Sequence, residues 1–260
     1  HVQEPAVQAT PKAPTLRLLA VGVSRYADPR LNLQFPAKDA ADVARCFQGQ
    51  EGRLFGQVEV TLLRDEQATK KGILEAMDRL RDRAHPEDVT VYFFSSHGGT
   101  NAEKSTYFLI NHDFGQGNWG VDGPEIKARL DATPGKTLLL MDTCHSGNVL
   151  GQGRMRSLDR ALGYTRFINE LLESGPGTQV FSSSTGAQYS LESPAWDNGA
   201  FTKALREGLA GAADPRHTGR VTTDMLEAYL RQRVAELTRG SQTPVVGKSE
   251  GAAPFPLAVP

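Results

Sequence analysis

The chain is poor in cysteine: two in 260 residues, Cys46 and Cys144. That excludes a disulfide framework, and because neither cysteine lies near the other it also excludes a cysteine-built zinc site. An excess of charge of one sign is lacking too. Lys and Arg number 29, Asp and Glu 30, and the formal net charge is -1. No strong field therefore directs the chain to nucleic acid or to an anionic membrane. No apolar run approaches the length of a bilayer span. Internal repeats and low-complexity core segments are absent. What remains is an ordinary globular composition, 39% hydrophobic and 23% charged. The length suits one α/β domain with a substantial core.

Residues 1–14 (HVQEPAVQATPKAP) are rich in Pro and Ala and lack an apolar run of signal-peptide type. They read as a linker or a processed N-terminal segment. After them, continuous apolar runs alternate with amphipathic stretches. Strands are expected at 16–23, 58–63, 88–95, 106–110, 136–142 and 178–183. Helices are expected at 36–47, with Pro36 at the first helical position, and at 69–84, 124–130, 199–209 and 222–237. This order implies an α/β fold with a mainly parallel central sheet and helices on both faces.

Such sheets hold their chemistry at the carboxyl ends of the strands. Two strands lead there into polar, Gly-containing segments expected to be loops: Ser95-Ser96-His97-Gly98-Gly99 and Asp142-Thr143-Cys144-His145-Ser146-Gly147. A thiol attacks a carbonyl well only as thiolate, and a free Cys has a pKa of about 8.5. It needs a base, and backbone N–H groups to hold the oxyanion that forms. His97 would take the proton and Cys144 would attack. The N–H groups of Gly98 and Cys144 could form the oxyanion hole, with Gly98 and Gly99 letting backbone approach substrate. Taken singly, a Cys at a strand end is more often a small buried hydrophobe, and a lone His more often structural. Together they gain weight, because the His lies 47 residues before the Cys and each closes an apolar strand. His145 is the weaker base, since adjacent residues in extended chain point to opposite sides. The histidines at 1, 85, 112 and 217 lie in polar segments and read as surface residues. Ser182, Ser183 and Ser184 lack the G-x-S-x-G elbow of a serine hydrolase. The Gly-containing segments match no phosphate-binding loop.

S-H-G after one apolar strand and D-T-C-H-S-G after the next long one resemble the caspase-like peptidases, closer to their metacaspase and prokaryotic orthocaspase branches than to animal caspases. The likeness covers 15–257. It takes in A-V-G-V-S-R-Y at the first strand, K-D-A-A-D-V opening the first helix and L-L-R-D-E-Q-A-T before the second. N-G-A-F-T-K-A-L and S-Q-T-P-V follow late in the chain. The resemblance implies a caspase-like fold and a thiol protease, a hydrolase with a Cys-His dyad, cutting protein or peptide after Arg or Lys. It maps acids of the primary pocket onto Asp39 and Asp142. A carboxylate about 4 Å from a guanidinium gains roughly 4 kcal/mol at an effective dielectric near 20, before desolvation. Asp39 could instead be a first-turn helix acid, and Asp142 could orient the Cys segment. Ser183 is implied as a substrate-binding residue. Gln188-Tyr189-Ser190-Leu191-Glu192 resembles the metacaspase Q-T-S-A-D loop, with Ala187 where those enzymes often carry an acid.

Many metacaspases need calcium, yet no calcium site is assignable here, and no other metal site or cofactor is indicated. Asp214-Pro-Arg-His-Thr-Gly-Arg-Val fails as an EF-hand, having Arg216, Thr218 and Met225 at ligand positions. Residues 148–164 read as a Gly/Arg-rich loop, where Arg154, Arg156 and Arg160 are candidate self-cleavage points; a plain solvated loop is the alternative. Another function class is a latent or catalytically silent sensor or interaction module, activated by a partner or an upstream domain. An unpaired nucleophilic Cys suits the cytoplasm and is compatible with export.

Overall fold

The computed structural model describes residues 13–101, 106–145, 157–173, 175, 177–185, 188 and 190–260. Its elements run β1 (Thr15–Gly22), α1 (Pro36–Gln48), β2 (Gln57–Arg64), α2 (Lys70–Arg83), β3 (Val89–Asn101), β4 (Thr106–Leu109), β5 (Val121–Asp122), α3 (Gly123–Asp131), β6 (Lys136–His145), α4 (Ser157–Leu172) and β7 (Thr178–Ser182). Then come β8 (Glu192–Ser193), β9 (Asn198–Gly199), α5 (Ala200–Glu207), β10 (Val221–Thr222), α6 (Thr223–Thr238), β11 (Val245–Lys248) and β12 (Pro256–Ala258).

The main sheet has the order β11-β7-β6-β3-β1-β2, with β4 added beside β3 and β5 beside β4. Strands β2, β1, β3, β6 and β7 are parallel; β11 closes one edge antiparallel to β7. Both faces are covered, which is why the central strands are apolar throughout. Successive side chains on a strand alternate between faces. Leu16, Leu18, Val91, Phe93, Leu138 and Leu140 therefore pack on one side, against Val43 and Phe47 of α1, Phe201 of α5 and Leu230 of α6. Leu19, Val21, Tyr92, Phe94, Leu139 and Met141 pack on the other, against α2, α3 and α4 through Ile73, Ile126 and Phe167. No helix among the described residues is long and apolar enough to cross a membrane.

Three expectations need correction. His97, Gly98, Gly99 and Cys144 lie within strands β3 and β6, not in loops after them, because each strand finds a partner beyond the point where its apolar run stops. The stretch 148–164 is not all loop: α4 begins at Ser157, so Arg160 is helical, while Arg154 and Arg156 lie outside the described residues. His112 is half-buried, and its Nδ1 bonds the carbonyl of Arg25 at 2.8 Å. The short strands β5, β11 and β12 carry too little periodicity to read from sequence.

Candidate active site

The site grows out of a handover at one sheet edge. Strand β1 ends at Gly22, the register partner of Ser95. Beyond Ser95 that edge of β3 is taken by β4, antiparallel from Gly98↔Leu109 onward. On the opposite edge β6 keeps parallel register as far as Gly98↔His145. His97 is thereby the register partner of Cys144, on strands about 4.8 Å apart. The side chain of Cys144 lies outside the described residues; its backbone position is fixed by this ladder.

His97 is held on two sides. Its N–H donates to the hydroxyl of Tyr26 at 2.9 Å, and the two rings lie 5.3 Å apart. Its Nε2 lies 2.8 Å from the carbonyl of Leu31. A carbonyl only accepts, so Nε2 carries the proton and Nδ1 a lone pair. That Nδ1 is buried with no hydrogen-bond partner among the described residues. Burial pushes the imidazole pKa below its ordinary 6.5, and the bond to Leu31 only partly opposes this. The ring is thus neutral near pH 7, with a nitrogen ready to accept a proton.

Gly98 and Gly99 have a packing reason to be glycine. A Cβ on Gly98 would fall 2.4 Å from the Tyr107 hydroxyl, and one on Gly99 2.6 Å from the Phe108 ring. The tips of these two aromatic side chains of β4 close against the end of β3. Tyr107 also donates to Thr143 at 2.9 Å, tying β4 to the residue before Cys144.

Beside this pair opens a cavity of about 70 Å³, lined by Asp39, Ser95, Asp142, Ser190, Glu192 and Gly199 among others. Asp39 stands in the first turn of α1, and Asp142 on β6 two residues before Cys144. Gly199 separates the two carboxylates; a Cβ there would lie 2.7 Å from Asp142 Oδ2 and 3.3 Å from Asp39 Oδ2. Asp39 accepts from Asn198 Nδ2 (2.8 Å), the Gly199 N–H (3.3 Å) and the Ser95 hydroxyl (3.3 Å). Asp142 accepts from Ser190 and from the hydroxyl (2.7 Å) and N–H (3.2 Å) of Thr202. Burial, then the charge of Asp142, raises the Asp39 pKa well above the usual carboxylate value. Burial raises that of Asp142 as well, against its hydrogen bonds to Ser190 and Thr202. The cavity is therefore an uncomfortable place for two anions and a favourable one for a cation.

Ser183 does not line the cavity. It is wholly buried, its N–H donates to Met141 O at 2.7 Å, and its carbonyl accepts from Gln242 Nε2 at 2.9 Å. Three contributors escaped the sequence reading. Glu192, at the cavity rim, accepts from the N–H groups of Gln34 (3.1 Å) and Phe35 (3.2 Å) at the start of α1. Gln242 braces the wall by also accepting from the Leu191 N–H at 2.8 Å. Asn198 bonds Asp39 directly. The segments around Glu192, Asn198 and Gln242 stand out as motifs, but nothing in them says which side chain reaches across the fold.

Among the described residues no group of three or more His, Cys, Asp or Glu is arranged to hold a metal ion. The Asp214 carboxylate is occupied by its own loop, accepting from the N–H groups of Thr218 (3.0 Å) and Gly219 (2.9 Å).

The sequence matches the caspase domain family over residues 16–255. It is 30% identical over 149 residues to metacaspase-1 of the yeast Scheffersomyces stipitis, an alignment covering 52% of this chain and 36% of that protein. The matched region thus spans about a third of the length of this curated relative. The fold resembles the crystal structure of a protein from Geobacter sulfurreducens, with a TM-score of 0.65 over 95% of this chain and 99% of that one, at 18% identity.

Proposed function

The chain belongs to the caspase domain family, a kinship with cysteine peptidases, and on that premise we propose that it hydrolyses peptide bonds after Arg or Lys with Cys144 as nucleophile and His97 as base. The observation that carries the reading is the register pairing of His97 with Cys144 beside a cavity holding two carboxylates. Asp39 and Asp142, with Glu192 at the rim, receive the basic side chain and so set the scissile carbonyl over Cys144. The thiol proton passes to His97 Nδ1, and the sulfur attacks the carbonyl carbon. The N–H groups of Gly98 and Cys144 hold the oxyanion. Collapse expels the amine, which takes the proton from His97. Water then attacks the thioester with His97 again as base, releasing the acid and the free thiol. The same specificity extends to self-cleavage at Arg154 or Arg156. Arg160 is disfavoured, because a helix must unwind before its backbone can enter an extended binding cleft.

The test is fluorophore release from short peptides ending in Arg, Lys or Asp, with and without calcium, by wild type and Cys144→Ala. Mass spectrometry of the same two proteins reports self-cleavage. Release after Arg or Lys that disappears in Cys144→Ala is expected, with fragments ending at 154 or 156 in wild type alone. Release after Asp would refute the acidic pocket. No release under either calcium condition would favour the silent or latent module. Identical fragments in both proteins would remove self-cleavage.

A further inference from the structure

We propose that Asn198, oriented by Arg206, is a positioning residue that holds Asp39 aimed into the pocket and favours its anionic form when a basic side chain enters, and so sets the affinity for that side chain. This rests on the reading of the pocket given above. Asn198 is fully buried. Its Nδ2 donates to Asp39 Oδ1 at 2.8 Å and to Asp42 Oδ2 at 2.9 Å, and its Oδ1 accepts from Arg206 Nη1 at 2.6 Å. Both amide hydrogens and one lone pair of Oδ1 are thereby used. The orientation is dictated: only a donor can sit against Asn198 Oδ1, so only the NH₂ end can face the two carboxylates.

Arg206 is itself anchored, by an ion pair of 3.0 Å to Asp42. Lys38 reaches the same Asp42 at 2.7 Å, and Arg45 binds it from the solvent side. Two acids three residues apart on α1 thus have different company. Asp42 is surrounded by cations, and its pKa is lowered despite burial. Asp39 meets no cation among the described residues. It shares the cavity with Asp142 and Glu192, with the Ser95 hydroxyl beside it; His97 follows two residues later on β3 and is not among the cavity-lining residues. The neutral amide of Asn198 is the link through which the positive charge behind α1 acts on Asp39. A full cation at that point would neutralise the pocket; a dipole supports the charge and leaves it free for substrate.

The experiment measures cleavage of a peptide with Arg before the scissile bond, as a function of pH, by wild type, Asn198→Asp and Arg206→Met. Alkylation of Cys144 by uncharged iodoacetamide is followed in parallel. Asn198→Asp replaces the donor with a third acid; Arg206→Met, at a half-exposed position, releases the amide to flip and serves if the first variant does not fold. KM should rise about tenfold in Asn198→Asp, as loss of one hydrogen bond to a buried charge implies. It should rise less in Arg206→Met. In both, kcat and the alkylation rate should stay near wild type. Removing the donor raises the Asp39 pKa further, so the acid limb of 1/KM should move to higher pH, and the Arg206→Met and wild-type KM values should converge where Asp39 is ionised in either. An unchanged KM and pH profile would overturn the inference. So would kcat and alkylation falling in step with KM, which would mark a merely structural role. Failure of wild type to cleave after Arg or Lys would instead overturn the pocket reading, and this inference with it.

Discussion

Asp39 and Asp142 are the residues at which stability and recognition pull apart. A carboxyl whose pKa is raised in the folded state contributes stability that is present below its unfolded value and lost as pH rises through the folded value. For Asp39 that unfolded value is near 3.8. Above it, the folded protein holds a proton the unfolded chain gives up, or bears an ill-solvated charge. Asp39→Asn should therefore raise the melting temperature by a few degrees at pH 7. The gain should shrink toward zero as pH falls to about 4. The same variant should lose most cleavage after Arg. Thermal melts across this pH range check the first part, peptide assays the second; a destabilised Asp39→Asn at neutral pH would show that the ionised carboxylate is well accommodated without substrate. His97 and Cys144 were legible because each closes an apolar run with a recognisable short motif. Asn198 was not, because its meaning lies in a contact 159 residues away.

The decisive element is the overshoot of β3 and β6. Their apolar runs mark only the part of each strand covered by helices on both faces. The polar extension survives because β4 supplies a new edge and two aromatic side chains to cover it. From sequence this looked like loop, since polar residues and paired glycines ordinarily end a strand. Gly98→Ala tests the packing directly. The added methyl meets Tyr107 at 2.4 Å, and overpacking of this kind costs about 1–3 kcal/mol. Denaturant unfolding should show a lower midpoint with an unchanged m-value. A neutral outcome would mean that Tyr107 moves freely, against its bond to Thr143. Five helices are legible from their amphipathic period, whereas α4 is absent from the expected elements, and its first two turns fall in a stretch that reads as loop because Gly and Arg dominate the approach to it.

At the scale of the whole molecule, sheet order does the assembling. Placing β6 beside β3, and β3 beside β1, brings three carboxyl-terminal strand ends together with α1. Residues near positions 39, 97, 142 and 198 meet there although the chain visits them far apart. Parallel α/β architecture was readable from the alternation of elements; the register that pairs His97 with Cys144 was not, because register depends on edges and packing that no single strand encodes. The central claim is that one cysteine is activated and addressed through a cation-selective pocket. The other thiol, Cys46, is half-buried, and burial chiefly raises its pKa, which disfavours its thiolate. Peptidyl chloromethyl ketones ending in Arg or in Asp, followed by intact-mass and peptide-mass analysis, separate these possibilities in one measurement. A single adduct on Cys144 with the Arg reagent, and little with the Asp reagent, is the predicted result. Labelling at Cys46, equal labelling by both reagents, or no adduct with either would contradict the account.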